Sequence, residues 1–301
     1  MSGPAAARPR ISIPAARWPR ISIVVPSYNQ AEFLGETLDS LIAQAYPELE
    51  IIVIDGGSSD GSVAVIEHYA AHLAYWTSEP DKGQTDALIK GFARATGSIL
   101  GWLCSDDLLK PGTLHLAAAA FATADAPDMI YGDTEYLYPD GSIQPKPRVA
   151  FDREIMLRAF NLIPQPSAFW TRAIYDRAGG LDASFHFTMD YDLFLRFGPA
   201  ARIVHMPLTL STYRLHAESK TTSQEDKFGA EFFRARSRAL GRPLGLSDRV
   251  VRWFYLAKTV LKFGLERGEW LFLPGTRRQR VLPPAPQTIS RETRPETIPP
   301  T

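Results

Sequence analysis

The 301-residue sequence has a single cysteine, Cys104, which excludes an internal disulfide and a metal site built from several cysteines. The 33 Lys and Arg side chains balance 33 Asp and Glu side chains, so no net charge attracts the chain to nucleic acid. No stretch reaches the roughly 18 consecutive apolar residues of a membrane-spanning helix. The N-terminal apolar segment 11–14 is too short for a signal peptide and ends in proline. We therefore expect a cytoplasmic protein.

The overall composition is typical of a globular protein, with 45% hydrophobic and 22% charged residues. Residues 1–19 are rich in Ala, Pro and Arg, and residues 276–301 are rich in Pro, Thr and Arg, so both ends are expected to be disordered. Between them we predict one domain over residues 20–222, followed by a helical region over residues 223–275.

The first half of this domain alternates short β-branched segments with segments of helical periodicity. The predicted strands are 21–25, 51–54, 73–76 and 99–103, and the predicted helices are 32–44, 63–69 and 84–95. This alternation indicates an α/β fold, a mostly parallel sheet flanked by helices. Such sheets bind ligands at the carboxyl ends of their strands, where Asp55 and Asp106-Asp107 both fall.

The second half favours a small antiparallel portion. Strands are predicted at 129–131 and 135–138, with turns at Gly132-Asp133 and Asp140-Gly141, and a strand at 203–213 is interrupted by Pro207. Helices are predicted at 152–159, 190–197, 223–240 and 246–271. The last mixes apolar and basic residues, which fits either a membrane-surface helix or a helix packed on the domain.

Two acidic stretches stand out. Asp106 and Asp107 are adjacent at the end of a buried strand, where they repel one another and are costly to desolvate. A hard divalent cation would compensate them; the alternative is a helix N-cap. Asp190 and Asp192 open a helical segment, and at about 200° apart around a helix they cannot point the same way.

Five motifs, in this order, resemble those of glycosyltransferase family 2 over roughly residues 20–222. They are Ile21-Ser22-Ile23-Val24-Val25-Pro26-Ser27-Tyr28-Asn29, Val53-Ile54-Asp55-Gly56-Gly57-Ser58-Ser59-Asp60-Gly61-Ser62, Ser105-Asp106-Asp107, Asp190-Tyr191-Asp192-Leu193 with Arg196, and Tyr213-Arg214-Leu215-His216. The resemblance implies the GT-A fold and an inverting enzyme that uses nucleotide-diphosphate sugars.

The same resemblance implies roles around the leaving diphosphate. Asp107 would bind Mg²⁺ or Mn²⁺, and Asp106 would face the ribose or the metal. His216 would complete the metal coordination or contact the diphosphate, although a lone histidine is also compatible with a structural role. Cys104 is expected to be a small buried residue and not a nucleophile.

For the nucleoside, the resemblance implies a base pocket lined by Pro26, Ser27 and Tyr28. Asp55 would accept a hydrogen bond from the base; the alternative is a turn residue before two glycines. Many relatives have a second acid where this chain has Gly56, so the identity of the base stays open.

The segment before the third helix offers further contacts. Lys82 would meet a phosphate, and Asp86 would contact the nucleoside or hold a loop; a solvated, capped loop is the alternative. Asp60 is expected to cap the helix that follows it.

Asp190 is the expected catalytic base, because inversion needs a carboxylate that takes the proton of the attacking hydroxyl. Asp192 is the alternative, although pairing with Arg196 at i,i+4 favours a structural role.

The predicted function is transfer of a sugar from a nucleotide-diphosphate donor, foremost a UDP-sugar, to a hydroxyl of a saccharide or lipid-linked saccharide. This would serve cell-surface polysaccharide or glycolipid synthesis, at the inner face of the membrane if residues 246–271 bind there. Two alternatives remain. A sugar nucleotidyltransferase would need a glycine-rich basic loop after the first strand, which residues 27–32 lack; the other alternative is a non-catalytic nucleotide-sugar-binding scaffold.

Overall fold

The computed structural model describes residues 18–216 and 225–267. The expectations for residues 1–17, 217–224 and 268–301 lie outside these ranges. The strands are β1 (Ile21–Ser27), β2 (Leu49–Asp55), β3 (Tyr75–Ser78), β4 (Ile99–Trp102), β5 (Leu108–Leu109), β6 (Met129–Leu137), β7 (Ile143–Lys146), β8 (Ala168–Thr171) and β9 (Ile203–Arg214). The α-helices are α1 (Ala31–Ile42), α2 (Ser62–Tyr69), α3 (Gln84–Arg94), α4 (Thr113–Phe121), α5 (Arg153–Arg158), α6 (Arg172–Arg177), α7 (Met189–Arg196), α8 (Glu225–Leu240) and α9 (Leu246–Arg267).

The strands form one mixed sheet in the order β3-β2-β1-β4-β8-β6-β9-β5, with β7 paired to β6. The first four strands are parallel. β8 then runs antiparallel to both β4 and β6, and β9 returns parallel to β6. The predicted α/β fold, with its parallel sheet and antiparallel portion, is confirmed. Ser27 and Asp55 are register partners, which places the ends of β1 and β2 side by side.

The core explains why the central strands are continuously apolar. Because successive side chains point to opposite faces, Val24 contributes to one core cluster and Val25 to the other. Leu88 and Phe92 of α3 belong to the first cluster, and the buried leucines of α1 belong to the second. Helices therefore cover both faces of the parallel strands, as such sheets require.

The predicted turn at Gly132-Asp133 is wrong, because β6 runs straight through both residues. Its pairing with β9 shifts register at this point, so that Pro207 and Leu208 have no partner in β6. A Cβ atom on Gly132 would lie 2.4 Å from Cγ of Leu210. The glycine therefore serves close approach of β9 and not a turn. The second predicted turn is confirmed by the β6–β7 hairpin around Gly141.

The two C-terminal helices pack on the domain. Phe232 of α8 lies 4.5 Å, centroid to centroid, from the ring of Tyr191, and Lys258 of α9 pairs with Asp152 at 2.7 Å. Both predicted helices are confirmed over the residues described. Within residues 18–216 and 225–267, no helix combines the length and apolarity needed to cross a bilayer.

Candidate active site

Asp107 lies in the turn after β4 and is only 1% exposed. Its Oδ1 accepts a hydrogen bond from the backbone N–H of Arg214 at 3.1 Å. Its Oδ2 is buried and has no hydrogen-bond partner among the described residues. Burial, reinforced by the Asp106 carboxylate, holds the pKa of Asp107 well above its ordinary value. The N-cap alternative is wrong, because strand β5 follows directly.

The end of β9 braces the neighbouring Asp106. Oδ2 of Asp106 lies 2.9 Å from Nε2 of His216, and its carbonyl oxygen accepts from Nε of Arg214 at 3.0 Å. The imidazole and the guanidinium both pack on Phe33, at 4.8 Å each, and Arg214 also pairs with Glu36. His216 thus holds the carboxylate of Asp106, and Arg214 holds its backbone carbonyl.

A potential ligand group for a metal ion forms at this turn. One ligand atom each from Cys104, Asp106 and Asp107 lies within 4.8 Å of the others. Two ligands of one cation are separated by at most about 4–5 Å, since metal–ligand bonds are about 2.0–2.6 Å long. The buried Oδ2 of Asp107 has no hydrogen-bond partner among the described residues, and the carboxylate of Asp106 repels that of Asp107. Both features fit a divalent cation. Among the described residues His216 stands beside this group, against Asp106, and its ligand role stays a prediction.

The predicted base pocket lies at the ends of β1 and β2. Pro26 and Ser27 are buried, and the Ser27 hydroxyl has no hydrogen-bond partner among the described residues, whereas Tyr28 is 62% exposed.

Asp55, beside Ser27, is fully buried. Its Oδ2 accepts from the backbone N–H groups of Gly57 and Ser58, at 3.1 and 2.8 Å, and from the Ser78 hydroxyl at 2.7 Å. These bonds match the turn-residue alternative, and a contact of Asp55 with the base stays a prediction.

The loop before α3 is held by acids. Oδ2 of Asp86 accepts from the backbone N–H of Lys82 at 3.2 Å and lies 3.4 Å from Nζ of Lys90. Asp86 thus holds the loop, which is one of its two predicted roles. The Lys82 side chain is exposed. Asp60 accepts from the N–H of Ser62, the first residue of α2, and from the N–H of Ala31, but the N-cap residue is Gly61, one residue after the expected position.

Asp190 lies in the first turn of α7 and is partly buried. Its Oδ2 accepts from Nδ2 of Asn161 at 3.0 Å. Burial raises the pKa of Asp190 to about 6, although hydrogen bonds from Asn161 and the helix backbone act in the opposite direction. Asp192 is buried and pairs with Arg196 at 2.8 Å, as predicted, and with Arg238 at 3.3 Å.

One short segment connects the two acidic centres. Asn161 contacts Asp190, and four residues later Gln165 donates from Nε2 to the carbonyl of Trp102 at 2.7 Å and lies against Cys104. Four residues span at most about 14 Å of backbone. This segment therefore contacts Asp190 at one end and the turn that carries the acid pair at the other. Sequence analysis did not identify Asn161 or Gln165, whose only local signal is a pair of amides in a proline-containing loop.

A second residue missed by sequence analysis comes from the C-terminal region. The Glu231 carboxylate of α8 accepts from the backbone N–H groups of His186, Phe187 and Thr188, at 2.9, 2.8 and 3.0 Å. These groups lead into α7, so Glu231 fixes where the helix with Asp190 begins. Glu231 lies more than forty residues after Thr188, so no pattern in the sequence near α7 indicates this contact.

A cavity of about 690 Å³ lies between α8 and α9, lined by Phe233, Arg236, Trp253 and neighbouring residues. A smaller cavity of about 290 Å³ lies between Asn29, Phe33 and Asp60, next to the end of β1. This smaller cavity lies at the carboxyl edge of the sheet, where parallel sheets bind ligands.

Comparison with known proteins agrees with this architecture. S. aureus TarS, in complex with UDP-GlcNAc, superposes with a TM-score of 0.61 at 19% identity, covering 82% of this chain and 73% of that one. A mannosyltransferase from Pyrobaculum calidifontis, in complex with GDP-Man and Mn²⁺, gives 0.59 at 19% identity, covering 84% and 74%. At these identities the likeness shows the fold alone, which is the GT-A fold that the motifs implied.

Sequence relatives agree as well. An uncharacterised glycosyltransferase of Mycobacterium tuberculosis is 31% identical over 193 residues, which cover 63% of this chain and 71% of the relative. A PGL/p-HBAD biosynthesis glycosyltransferase of Mycobacterium bovis is 27% identical over 218 residues, covering 69% and 81%. The model of the family "Glycosyl transferase family 2" matches residues 22–178, more than half of the chain. The protein is therefore a member of glycosyltransferase family 2.

Proposed function

We propose that this glycosyltransferase is a cation-dependent, inverting enzyme that transfers a sugar from a nucleotide-diphosphate donor to a hydroxyl of a saccharide or lipid-linked saccharide. The observation that carries the proposal is that residues 161–165 contact both Asp190, whose pKa is raised, and the turn with Asp106 and Asp107, where a buried Asp107 oxygen has no hydrogen-bond partner among the described residues. The complexes of the two fold neighbours, one with UDP-GlcNAc and one with GDP-Man and Mn²⁺, support a nucleotide-sugar donor.

On the donor side, Asp107 and Asp106 would hold Mg²⁺ or Mn²⁺, which when bound neutralises the charge that develops on the departing diphosphate. His216 and Arg214 keep the Asp106 side of the turn in place. Ser27 and Tyr28, at the end of β1, would bind the nucleoside together with Asp55. The exposed Lys82 would contact the diphosphate of a UDP-sugar or GDP-sugar donor.

On the acceptor side, Asp190 would take the proton of the attacking hydroxyl. The acceptor oxygen forms a bond to the anomeric carbon from the face opposite the diphosphate, the bond to the phosphate oxygen breaks, and its electron pair leaves with the diphosphate. A pKa of about 6 leaves Asp190 ionised at neutral pH yet more basic than an ordinary aspartate. Asn161 fixes the orientation of this carboxylate.

A membrane contact through α9 would suit a lipid-linked acceptor. The outer face of this helix exposes a stripe of apolar side chains, each at least half exposed: Leu246, Val250, Trp253, Phe254, Leu261 and Leu265. The helix contains five basic and two acidic residues, and one of the acids, Asp248, is paired with Arg242.

The occupant that matches this charge is an anionic phospholipid surface. A second copy of the chain would instead bring the basic residues of two helices together. The membrane surface is therefore the contact that we propose, and self-association is its competing outcome.

The proposed function is tested with nucleotide sugars, with and without Mn²⁺. We expect one donor to raise the unfolding temperature only in the presence of the cation. Asp107→Asn should lose this stabilisation, whereas Asp190→Asn should keep it and lose transfer. The anomeric configuration of the product, measured by NMR, should be opposite to that of the donor.

Other outcomes would contradict the proposal. Near-wild-type transfer by both variants would refute the assigned roles. Consumption of a nucleoside triphosphate with release of pyrophosphate would indicate a nucleotidyltransferase. Absence of calorimetric binding for Mn²⁺ and for any nucleotide sugar would indicate a scaffold.

A further inference from the structure

The Cys104 side chain packs against one of the core clusters, and its sulfur lies beside the carboxylates of the acidic turn. Its Sγ accepts a hydrogen bond from Nε2 of Gln84 at 3.1 Å and lies 3.7 Å from Oε1 of Gln165. The thiol is only partly buried. Two amide side chains from separate segments thus give the sulfur polar contacts, in addition to the packing that is expected of a small, partly buried residue.

The neighbouring carboxylate has an open position for a ligand. Oδ2 of Asp107 is buried without a hydrogen-bond partner, on a side chain that is 1% exposed. A ligand atom of this residue, the sulfur of Cys104 and an oxygen of Asp106 all lie within 4.8 Å of one another. Bonds of about 2.3 Å to sulfur and about 2.0–2.6 Å to oxygen allow one ion to reach all three atoms.

We propose that Sγ of Cys104 is a third protein ligand of the cation held by Asp106 and Asp107. Binding deprotonates the thiol, so one proton is released to solvent as the metal–sulfur bond forms. A thiolate makes the site softer than a set of oxygen ligands alone. The site should therefore favour Mn²⁺, Co²⁺ and Cd²⁺ over Mg²⁺ more strongly than the carboxylates would by themselves.

This inference rests on the proposed function only for the cation site, and it is tested without sugar donor or acceptor. The full-length, reduced protein is titrated with Co²⁺ while its near-ultraviolet absorption is recorded. We expect a thiolate-to-cobalt charge-transfer band that saturates at one equivalent. Because the chain has a single cysteine, such a band can come only from Cys104.

Matched variants separate the ligands. Cys104→Ser should abolish the band, keep Co²⁺ binding by calorimetry, and lower the preference for Cd²⁺ over Mg²⁺ at least about tenfold. Asp107→Asn should weaken Co²⁺ binding and the band together. Asp192→Asn, in a carboxylate already paired with two arginines, should leave the band unchanged. Circular dichroism checks that each variant is folded. The absorption band of the wild-type protein tests the proposal even if a variant fails to fold.

The outcomes distinguish this inference from the proposed function. Saturable Co²⁺ binding without a charge-transfer band, with equal affinities in wild type and Cys104→Ser, overturns thiolate ligation and leaves the carboxylate site intact. A band without sugar transfer to any acceptor overturns the proposed function and keeps the ligation. Absence of Co²⁺ binding to the wild-type protein overturns both.

Discussion

Asn161 and Asp190 share a hydrogen bond of 3.0 Å from Nδ2 to Oδ2, and the orientation of the amide is fixed by a second bond. Its Oδ1 accepts from the backbone N–H of Ile163, also at 3.0 Å. Turning the amide over would lose both bonds. Asn161 is therefore a positioning residue for the proposed base, and its N–H group favours the ionised carboxylate against the burial that raises its pKa.

Replacing Asn161 by Leu should shift the acid limb of the pH profile. Without the N–H donor the pKa of Asp190 rises further above about 6, so kcat/KM should begin to increase about 1 pH unit later. Activity should fall most below pH 7 and recover at higher pH. Asn161→Asp, which keeps the size but places a second carboxylate beside Asp190, should shift the profile at least as far in the same direction. A uniform loss of activity with an unshifted profile would show that Asn161 does not tune the base.

The buried carboxyl of Asp190 also predicts a pH dependence of stability. The unfolded group ionises near 3.8, whereas the folded group keeps its proton up to about pH 6. Within this window the folded state binds more protons, so its contribution to the free energy of unfolding falls as pH rises and then levels off. Asp190→Asn should lack this decrease. Urea unfolding at pH 4, 5 and 7.5 measures it, and equal pH dependence in both proteins would contradict the raised pKa.

Glu231 should stabilise the start of α7. Glu231→Ala leaves the N–H groups of His186, Phe187 and Thr188 without their acceptor, which should lower the free energy of unfolding by about 1–3 kcal/mol. Transfer activity should fall as well, because Asp190 follows directly. Glu231→Gln, which keeps one oxygen, should lose less. The exposed Glu67 offers a control in Glu67→Gln; equal stability of Glu231→Ala and this control would refute the anchoring role.

Strand β9 passes so close to Gly132 that no side chain fits at this position. In Gly132→Ala the new Cβ meets Leu210 at 2.4 Å and the carbonyl oxygen of Leu208 at 2.7 Å. The strand must shift, and the free energy of unfolding should fall by about 1–3 kcal/mol. Gly229→Ala in α8, where a Cβ meets nothing within 4 Å, should instead stabilise by up to about 1 kcal/mol. Denaturant unfolding measures the change in the free energy of unfolding for each variant. Changes of the same sign in both variants would contradict the packing argument.

The apolar stripe of α9 should govern vesicle binding. Full-length protein should float with vesicles of phosphatidylcholine that contain phosphatidylglycerol, and less with phosphatidylcholine alone or in high salt. Trp253→Ser combined with Phe254→Ser should lower this binding by about a hundredfold or more, because about 3 kcal/mol or more of apolar burial is lost. Ile143→Ser, at a side chain 53% exposed on β7, is the control. A concentration-dependent doubling of mass without flotation would assign the stripe to self-association.

Much of the N-terminal half could be predicted because its signals are local. β1 and β2 are short, continuously apolar segments, and α1 and α3 repeat apolar residues at helical spacing. The failure at Gly132 shows the limit of such signals. A glycine beside an aspartate is typical of a turn, yet here it admits the side chain of Leu210 from a strand almost eighty residues later.

The sequence by itself determined where the charges stand: two adjacent acids at the end of an apolar strand, and Asp192 one helical turn before its partner Arg196. These follow from side-chain chemistry and from spacing along the chain. Only the tertiary structure decided what the charges do. Asp107 is desolvated and held by Arg214, and Asp190 is made basic by burial and oriented by Asn161. Burial and contacts between distant segments set a carboxylate's pKa, and neither is written in the residues beside it.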